Sequence, residues 1–81
     1  MQQVLEARTD AGIAFSDLCY LLERLGFSVR TRSSHHIFSK LGVEEILNLQ
    51  PRRGGSAKPY QVRQVRAVIL KYGLGERSDE Q

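Results

Sequence analysis

Three strand-like segments lie between residues 26 and 51 of this 81-residue chain, and only short links separate them. Residues 27–32 alternate between apolar or β-branched and polar side chains, which is the pattern of a half-buried strand. Residues 35–40 and 45–50 form two further runs, and Pro51, which cannot donate to a ladder, ends the last one. Parallel strands need a crossover of a dozen or more residues, so these links predict an antiparallel meander.

One amphipathic helix is predicted on each side of the strands. The first spans about residues 16–25, with Ser16 as its N-cap and Gly26 just past its end. The second starts at Pro59, which suits the first helical position, and stops at Gly73. Their apolar stripes are Leu18, Leu21, Leu22 and Leu25 in the first helix and Val62, Val65, Val68, Ile69 and Tyr72 in the second.

These elements predict an α+β fold, a two-layer sandwich in the order α-β-β-β-α with an antiparallel three-stranded sheet. Both helices need the same sheet face to bury their stripes, which leaves the other face open. We expect one domain over residues 15–74, because a chain this short does not hold two. An N-terminal extension over residues 1–14 has room for an extra short helix at 2–7, and a polar tail over 75–81 is expected to be disordered.

Composition excludes several classes of protein. Cys19 is the only cysteine, so no intrachain disulfide can form, and we expect a buried structural thiol. The first residues lack the basic and apolar regions of a signal peptide, and no apolar run approaches the roughly 18 residues of a membrane helix. We therefore expect a cytoplasmic protein with no membrane contact and no cofactor.

Positive charge is concentrated in the middle of the chain. The whole sequence has a net charge of +3, but residues 30–71 contain nine basic and two acidic residues, a net charge of +7. Such a concentration favours a polyanion such as nucleic acid, through phosphate contacts and counterion release. A solvated basic face is the alternative interpretation.

His35 and His36 are the only histidines, and they are adjacent. Neighbours in a strand point to opposite faces, so the two rings cannot hold one metal ion together, and we expect no metal site. Metal-free cleavage of RNA needs a base for the 2′-OH proton, an acid for the leaving 5′ oxygen and nearby cations. If Phe38 points into the core, His35 faces outward and can act as base or acid. The alternative is a histidine that only fills space or hydrogen-bonds locally.

Two further features could bind phosphate. Arg52, Arg53 and Lys58 surround a glycine-rich loop that leads into the second helix, where exposed amides and cations suit an anion. Arg63 and Arg66, with Lys71, give that helix a basic face. Basic loops and solvated basic helix faces are also common without any ligand.

Three short runs resemble the HicA (YcfA-like) toxin family. They are Leu25-Gly26-Phe27, Ser34-His35-His36-Ile37-Phe38 and Lys58-Pro59-Tyr60-Gln61-Val62-Arg63-Gln64-Val65. The resemblance extends over roughly residues 15–74 and includes the order of the helices and strands. It implies a fold like that of the double-stranded-RNA-binding domain.

The resemblance also implies a function. Members of this family are small endoribonuclease toxins that cleave mRNA and are neutralised by a HicB-type antitoxin. The family's catalytic histidine follows a Gly-Ser pair, which assigns the role to His35. Ser34, together with Arg52, Arg53, Lys58, Arg63 and Arg66, would then bind RNA phosphate. Two alternatives remain open: a non-catalytic RNA-binding module that uses the same surface, and a small subunit whose open sheet face only docks another protein.

The sequence departs from the family pattern at two places. Ser33 occupies the position of the family's glycine, and serine fits poorly if that position needs a positive φ. Many members carry a second histidine shortly after the proline that ends the third strand, where this chain has Arg52 and Arg53. We therefore expect weaker activity, or a second proton transfer that is left to water.

Overall fold

The computed structural model describes residues 12–77. The elements are helix α1 (Phe15–Arg24), strands β1 (Ser28–Arg32), β2 (His35–Lys40) and β3 (Val43–Leu49), helix α2 (Pro59–Tyr72) and the short helix α3 (Leu74–Arg77). The strands pair antiparallel in the order β1-β2-β3. The predicted α-β-β-β-α order and antiparallel meander are confirmed.

The strand register decides which face of the sheet is the core. Phe38 in β2 pairs with Val29 in β1 and Leu47 in β3, and residues paired in this way share a face. Phe38 and Leu47 are fully buried. They form one hydrophobic cluster with apolar residues of both helices, including Leu18, Leu22, Val62, Val65 and Ile69. Both helices therefore cover this face, and the opposite face is open.

Helix α1 begins differently from the prediction. Its N-cap is Ala14, in an extended conformation and with no side-chain cap, and Ser16 is the second helical residue. Ala14 forms a β-bridge with Ser56, and the Phe15 amide donates to the Gly55 carbonyl over 2.9 Å. The loop before α2 thus satisfies the first amide of the helix, and the Leu18 amide donates to the Ala14 carbonyl over 3.2 Å.

The end of α1 confirms the predicted role of Gly26. Gly26 has a φ of 97°, its amide donates to the Glu23 carbonyl, and the Phe27 amide donates to the Leu22 carbonyl. This pair of bonds is a Schellman motif, which favours glycine because the residue past the helix end adopts a left-handed conformation. The turn carries Phe27 into the core, where it is 5% exposed.

Strand β1 corrects the prediction of a half-buried strand. All five of its residues are exposed, and Val29, on the core side of the sheet, is 41% exposed. The reason is that β1 is an edge strand and the helices leave its core side largely uncovered. The alternating pattern was correct, but the buried apolar residue, Phe27, lies just before the strand.

The two ends of the domain also differ from the expected boundaries. Ile13 is buried, and its carbonyl accepts a 2.7 Å bond from the Ala57 amide, so the packed unit begins before residue 15. The chain is helical over Leu74–Arg77, where a disordered tail was expected to begin at residue 75. The predicted helix at 2–7 and the tail beyond 77 lie outside the described residues. No described helix is long and apolar enough to span a bilayer.

Candidate functional site

His35 lies on the open face of the sheet. Phe38 is buried on the opposite face, and His35 is exposed at the start of β2, as the parity of the strand predicts. Its Nδ1 lies 3.0 Å from Oδ1 of Asn48 on β3. An amide oxygen only accepts, so the bond needs the proton on Nδ1, and in that tautomer Nε2 carries the free lone pair. The contact therefore orients the imidazole with a basic nitrogen free to meet a ligand.

Two arginines share this face with His35. Arg32 pairs directly with His35 across the β1–β2 ladder, and Arg30 pairs with its neighbour on the same face, Ile37. Both arginines are exposed. Both belong to the basic residues counted over residues 30–71, but neither was predicted as a site residue. The two-residue turn at 33–34 and strand alternation were enough to place them beside His35.

The β1–β2 turn shows why its first position matters. Ser33 has a φ of 54° and is the only described non-glycine residue with positive φ. Glycine adopts this conformation without strain, whereas serine does not. Ser34, predicted to bind RNA, accepts a 2.9 Å bond at its Oγ from Gln50 Nε2. Its hydroxyl therefore ties the turn to the end of β3.

His36 lies on the other side of the sheet from His35. It is half-buried, and its ring meets the Phe15 ring edge to face, with the centroids 5.0 Å apart. Its Nδ1 donates to the Ser34 carbonyl over 3.3 Å. The structure therefore does not bring a second imidazole to His35.

The basic loop presents side chains more than amides. The Arg52 amide donates to the Ser56 carbonyl over 2.8 Å, and the Gly55 amide donates to the Arg52 carbonyl over 2.9 Å. These amides are used inside the loop, and the side chains of Arg52 and Arg53 are exposed. Lys58 is half-buried at the N-cap of α2. Two of the amides that the sequence offered to a phosphate are thus already bonded within the loop.

The predicted basic residues do not form one surface. Arg63 is exposed on α2, on the side opposite the buried Val62, Val65 and Ile69, and therefore points away from the sheet. His35 faces out of the other layer. Arg66 is half-buried on the flank of α2. The loop, which follows the end of β3, is at the same end of the sheet as His35.

Gln61 connects α2 to the end of β3 and was missed by sequence reasoning. It is 4% exposed, and its Oε1 accepts from the Gln50 amide over 3.2 Å while its Nε2 donates to the Asn48 carbonyl over 3.4 Å. The side-chain amide thus replaces a neighbouring strand along the outer edge of β3. Because Asn48 also holds His35, Gln61 supports the residue that orients the imidazole.

Lys71 belongs to a different cluster. Its Nζ lies 2.8 Å from Glu45 Oε2, and the Tyr72 hydroxyl donates to Glu45 Oε1 over 2.7 Å. These two bonds, led by that from Lys71, lower the pKa of Glu45 from 4.5 to about 2. The pairing partly neutralises the charge that Lys71 was expected to offer to RNA.

Cys19 is half-buried, less than predicted. Burial, and secondarily the charge of Glu23, raise the pKa of its thiol from 9.0 to about 11, so the group stays protonated at neutral pH. No group of three or more metal-ligating side chains comes together among residues 12–77.

A scan of protein-family models finds no match to this chain, and comparisons with curated proteins and with solved structures find none either.

Proposed function

We propose that this protein is the toxin of a toxin–antitoxin pair: a metal-independent endoribonuclease that cleaves mRNA in the cytoplasm with His35. The observation that carries the proposal is the contact between His35 and Asn48 on the open sheet face. It orients an exposed imidazole beside Arg32, and these two groups supply the base and a cation for cleavage of a phosphodiester. The resemblance to the HicA family supports the same assignment.

In the proposed reaction, Nε2 of His35 takes the proton of a ribose 2′-OH. The 2′ oxygen then attacks the adjacent phosphorus, and the bond from phosphorus to the 5′ oxygen breaks. A 2′,3′-cyclic phosphate forms, and the leaving 5′ oxygen takes its proton from water. Arg32 and Arg30 lie on the same face, where their charges stabilise the developing negative charge on the phosphate.

RNA binding would rest on the arginines at this end of the molecule. Arg30 and Arg32 on the sheet face, with Arg52 and Arg53 on the neighbouring loop, give cations on two sides of the strand ends. Arg63 points out of the helix layer, so a short RNA at His35 does not reach it. We therefore assign phosphate binding near the cleaved bond to Arg30 and Arg32, and contacts farther along the RNA to the loop.

The proposed partner is a HicB-type antitoxin. The open sheet face has no covering element among the described residues, and it includes Ile46, which is 62% exposed, beside the polar residues of the site. A partner that covered this face would hide His35 and Arg32 together. Co-purification with the product of the adjacent gene, followed by a cleavage assay of the complex, tests this mode of inhibition.

Single-turnover cleavage of one labelled RNA, with EDTA present, tests the catalytic assignment. We expect His35→Ala to lower the rate on the order of 100- to 10,000-fold, because it removes the proton-transfer group. Circular dichroism and a binding isotherm should stay close to wild type, since His35 is exposed. His36→Ala is the matched control and should lose far less activity. Wild-type cleavage by a folded His35→Ala protein would contradict the assignment.

A non-catalytic RNA-binding module is the second candidate. The observation in its favour is that His36 faces away from His35, which leaves one imidazole for two proton transfers. On this alternative, wild-type protein binds the labelled RNA with the same basic surface and leaves it intact.

A further inference from the structure

A groove of about 590 Å³ opens between α1 and the end of the sheet, on the side opposite to His35. Its lining includes three aromatic rings, those of Phe15, Tyr20 and His36, together with Cys19, Glu23 and Pro51. We propose that this groove binds an unpaired base of the RNA substrate, with guanine preferred. The inference rests on the proposed function and adds to it a determinant of sequence specificity.

The aromatic rings suit the flat face of a base. Tyr20 is 65% exposed, and the Arg24 guanidinium lies 5.9 Å from the centre of its ring. Single-stranded RNA is held by stacking on aromatic or guanidinium planes, with cations following the phosphates. The thiol of Cys19, which also lines the groove, is uncharged at neutral pH.

Glu23 provides the polar contact that distinguishes bases. Glu23 lines the groove, and its carboxylate offers two acceptor oxygens. Guanine is the RNA base with two adjacent donors, N1–H and the N2 amino group, on its Watson–Crick edge. Uracil offers one donor between two carbonyl oxygens, which a carboxylate repels.

The groove and the proposed cleavage site lie on opposite faces of the sheet but at the same end of it. His36, which lines the groove, is the neighbour of His35, and consecutive Cα atoms lie about 3.8 Å apart. An RNA strand that crosses the end of the sheet can place one base in the groove and a nearby phosphate at His35. The groove would then fix the position of cleavage relative to a guanine.

Titration with the four nucleoside 5′-monophosphates, followed by NMR, tests the groove without any cleavage. We expect GMP to shift the amide signals of Phe15, Cys19 and His36 and to bind about tenfold more tightly than UMP, the low end of a bidentate base contact. Glu23→Gln should remove this preference. Glu44→Gln, which removes an exposed carboxylate from β3, is the matched control and should keep it. Equal binding of all four nucleotides, or shifts elsewhere, would overturn the proposal.

Mapping the cut sites in a long RNA gives the second readout. We expect wild type and Glu44→Gln to cut at a fixed distance from guanine, and Glu23→Gln and Tyr20→Leu to cut with less preference. If the protein cuts RNA but the map is the same for all four proteins, the groove proposal fails alone. If GMP binds in the groove and no RNA is cut, the proposed catalysis fails and the groove remains a base-binding site.

Discussion

At the scale of single residues, Asn48 orients the imidazole of His35. It is a positioning residue, because its Oδ1 holds Nδ1 of His35 and does not meet the substrate. We expect Asn48→Ala to lower the rate of RNA cleavage by roughly 10- to 100-fold, since misplacement of a catalytic group by about 1 Å costs that much. Single-turnover rates measured across pH provide the test.

Asn48→Asp is the matched variant for this prediction. It keeps an oxygen acceptor for Nδ1, so it should recover most of the rate lost in Asn48→Ala. Its negative charge stabilises the imidazolium, so the acidic limb of the pH profile, where protonation of His35 removes the base, should move to higher pH. Equal rates in wild type and Asn48→Ala would show that the contact does not orient the catalytic ring.

Ser33 carries backbone strain that a single substitution can relieve. Its φ of 54° lies in the left-handed region, which costs a non-glycine residue roughly 1–2 kcal/mol. Glycine also gains freedom in the unfolded chain, which offsets part of the benefit. We expect Ser33→Gly to stabilise the fold by about 0.5–1 kcal/mol, measured by urea unfolding. Ser33→Ala, which keeps the strain, should show no gain.

At the scale of elements, Gln61 joins α2 to β3. Removing its side-chain amide leaves the Gln50 N–H and the Asn48 carbonyl without the partner they have in the structure. We expect Gln61→Ala to destabilise the fold by about 1–3 kcal/mol, through the loss of two part-buried hydrogen bonds and of a buried side chain. Gln64→Ala, at an exposed position of the same helix, should change stability by less than about 0.5 kcal/mol. Thermal and urea unfolding measure the free energy of unfolding of both variants, and equal values would contradict the role of Gln61.

The helices and strands could be predicted from the sequence more accurately than their burial and their side-chain contacts. The short links and strand patterns predicted three antiparallel strands and two flanking helices, because period and turn length are local properties. The exposure of β1 was not predictable, since it depends on how far the two helices extend across the sheet. The hydrogen bond from His35 to Asn48 was also hidden, because Asn48 pairs with Ile37 and reaches His35 only diagonally across the ladder.

The candidate site was also predictable only in part: the face on which His35 lies was predicted, and the set of basic residues beside it was not. Strand parity placed His35 on the open face once Phe38 was taken as core. Arg63, by contrast, was grouped with His35 because both belong to a basic segment, although they face out of different layers. Charge counted along a chain does not show on which side of a fold each charge lies.

The whole molecule should bind RNA through electrostatic contacts. Residues 30–71 have a net charge of +7, and four of their exposed arginines, Arg30, Arg32, Arg52 and Arg53, lie on the open sheet face and the adjacent loop. With about three to five phosphate contacts, each adding roughly −0.7 to −0.9 to the slope, log affinity should fall steeply with log salt. Fluorescence anisotropy of a labelled RNA at several salt concentrations measures the slope. An affinity that did not change with salt concentration would contradict electrostatic binding of RNA.

Stability in acid should depend on the cluster of Glu45, Lys71 and Tyr72. Because the pKa of Glu45 is lowered to about 2, its contribution is present above its ordinary pKa of 4.5 and is lost as pH falls toward 2. We expect Glu45→Gln to be less stable than wild type at pH 7, by a small amount because the pair is exposed, and to match wild type near pH 2. Glu44→Gln is the control in unfolding experiments across pH, and a deficit that persisted at pH 2 would contradict the linkage.

Adjacent histidines on opposite faces also bear on the fidelity of folding. A hairpin that closed one step out of register would turn every side chain of β2 over, presenting His36 to the solvent in place of His35. The same slip would move Phe38, now fully buried, into water, at a cost of roughly 1.5–3 kcal/mol. Burial of Phe38, three positions after His35, therefore disfavours the shifted register while the hairpin forms. If evolution changed the length of the β1–β2 turn by one residue, His36 would supply an imidazole on the open face in place of His35.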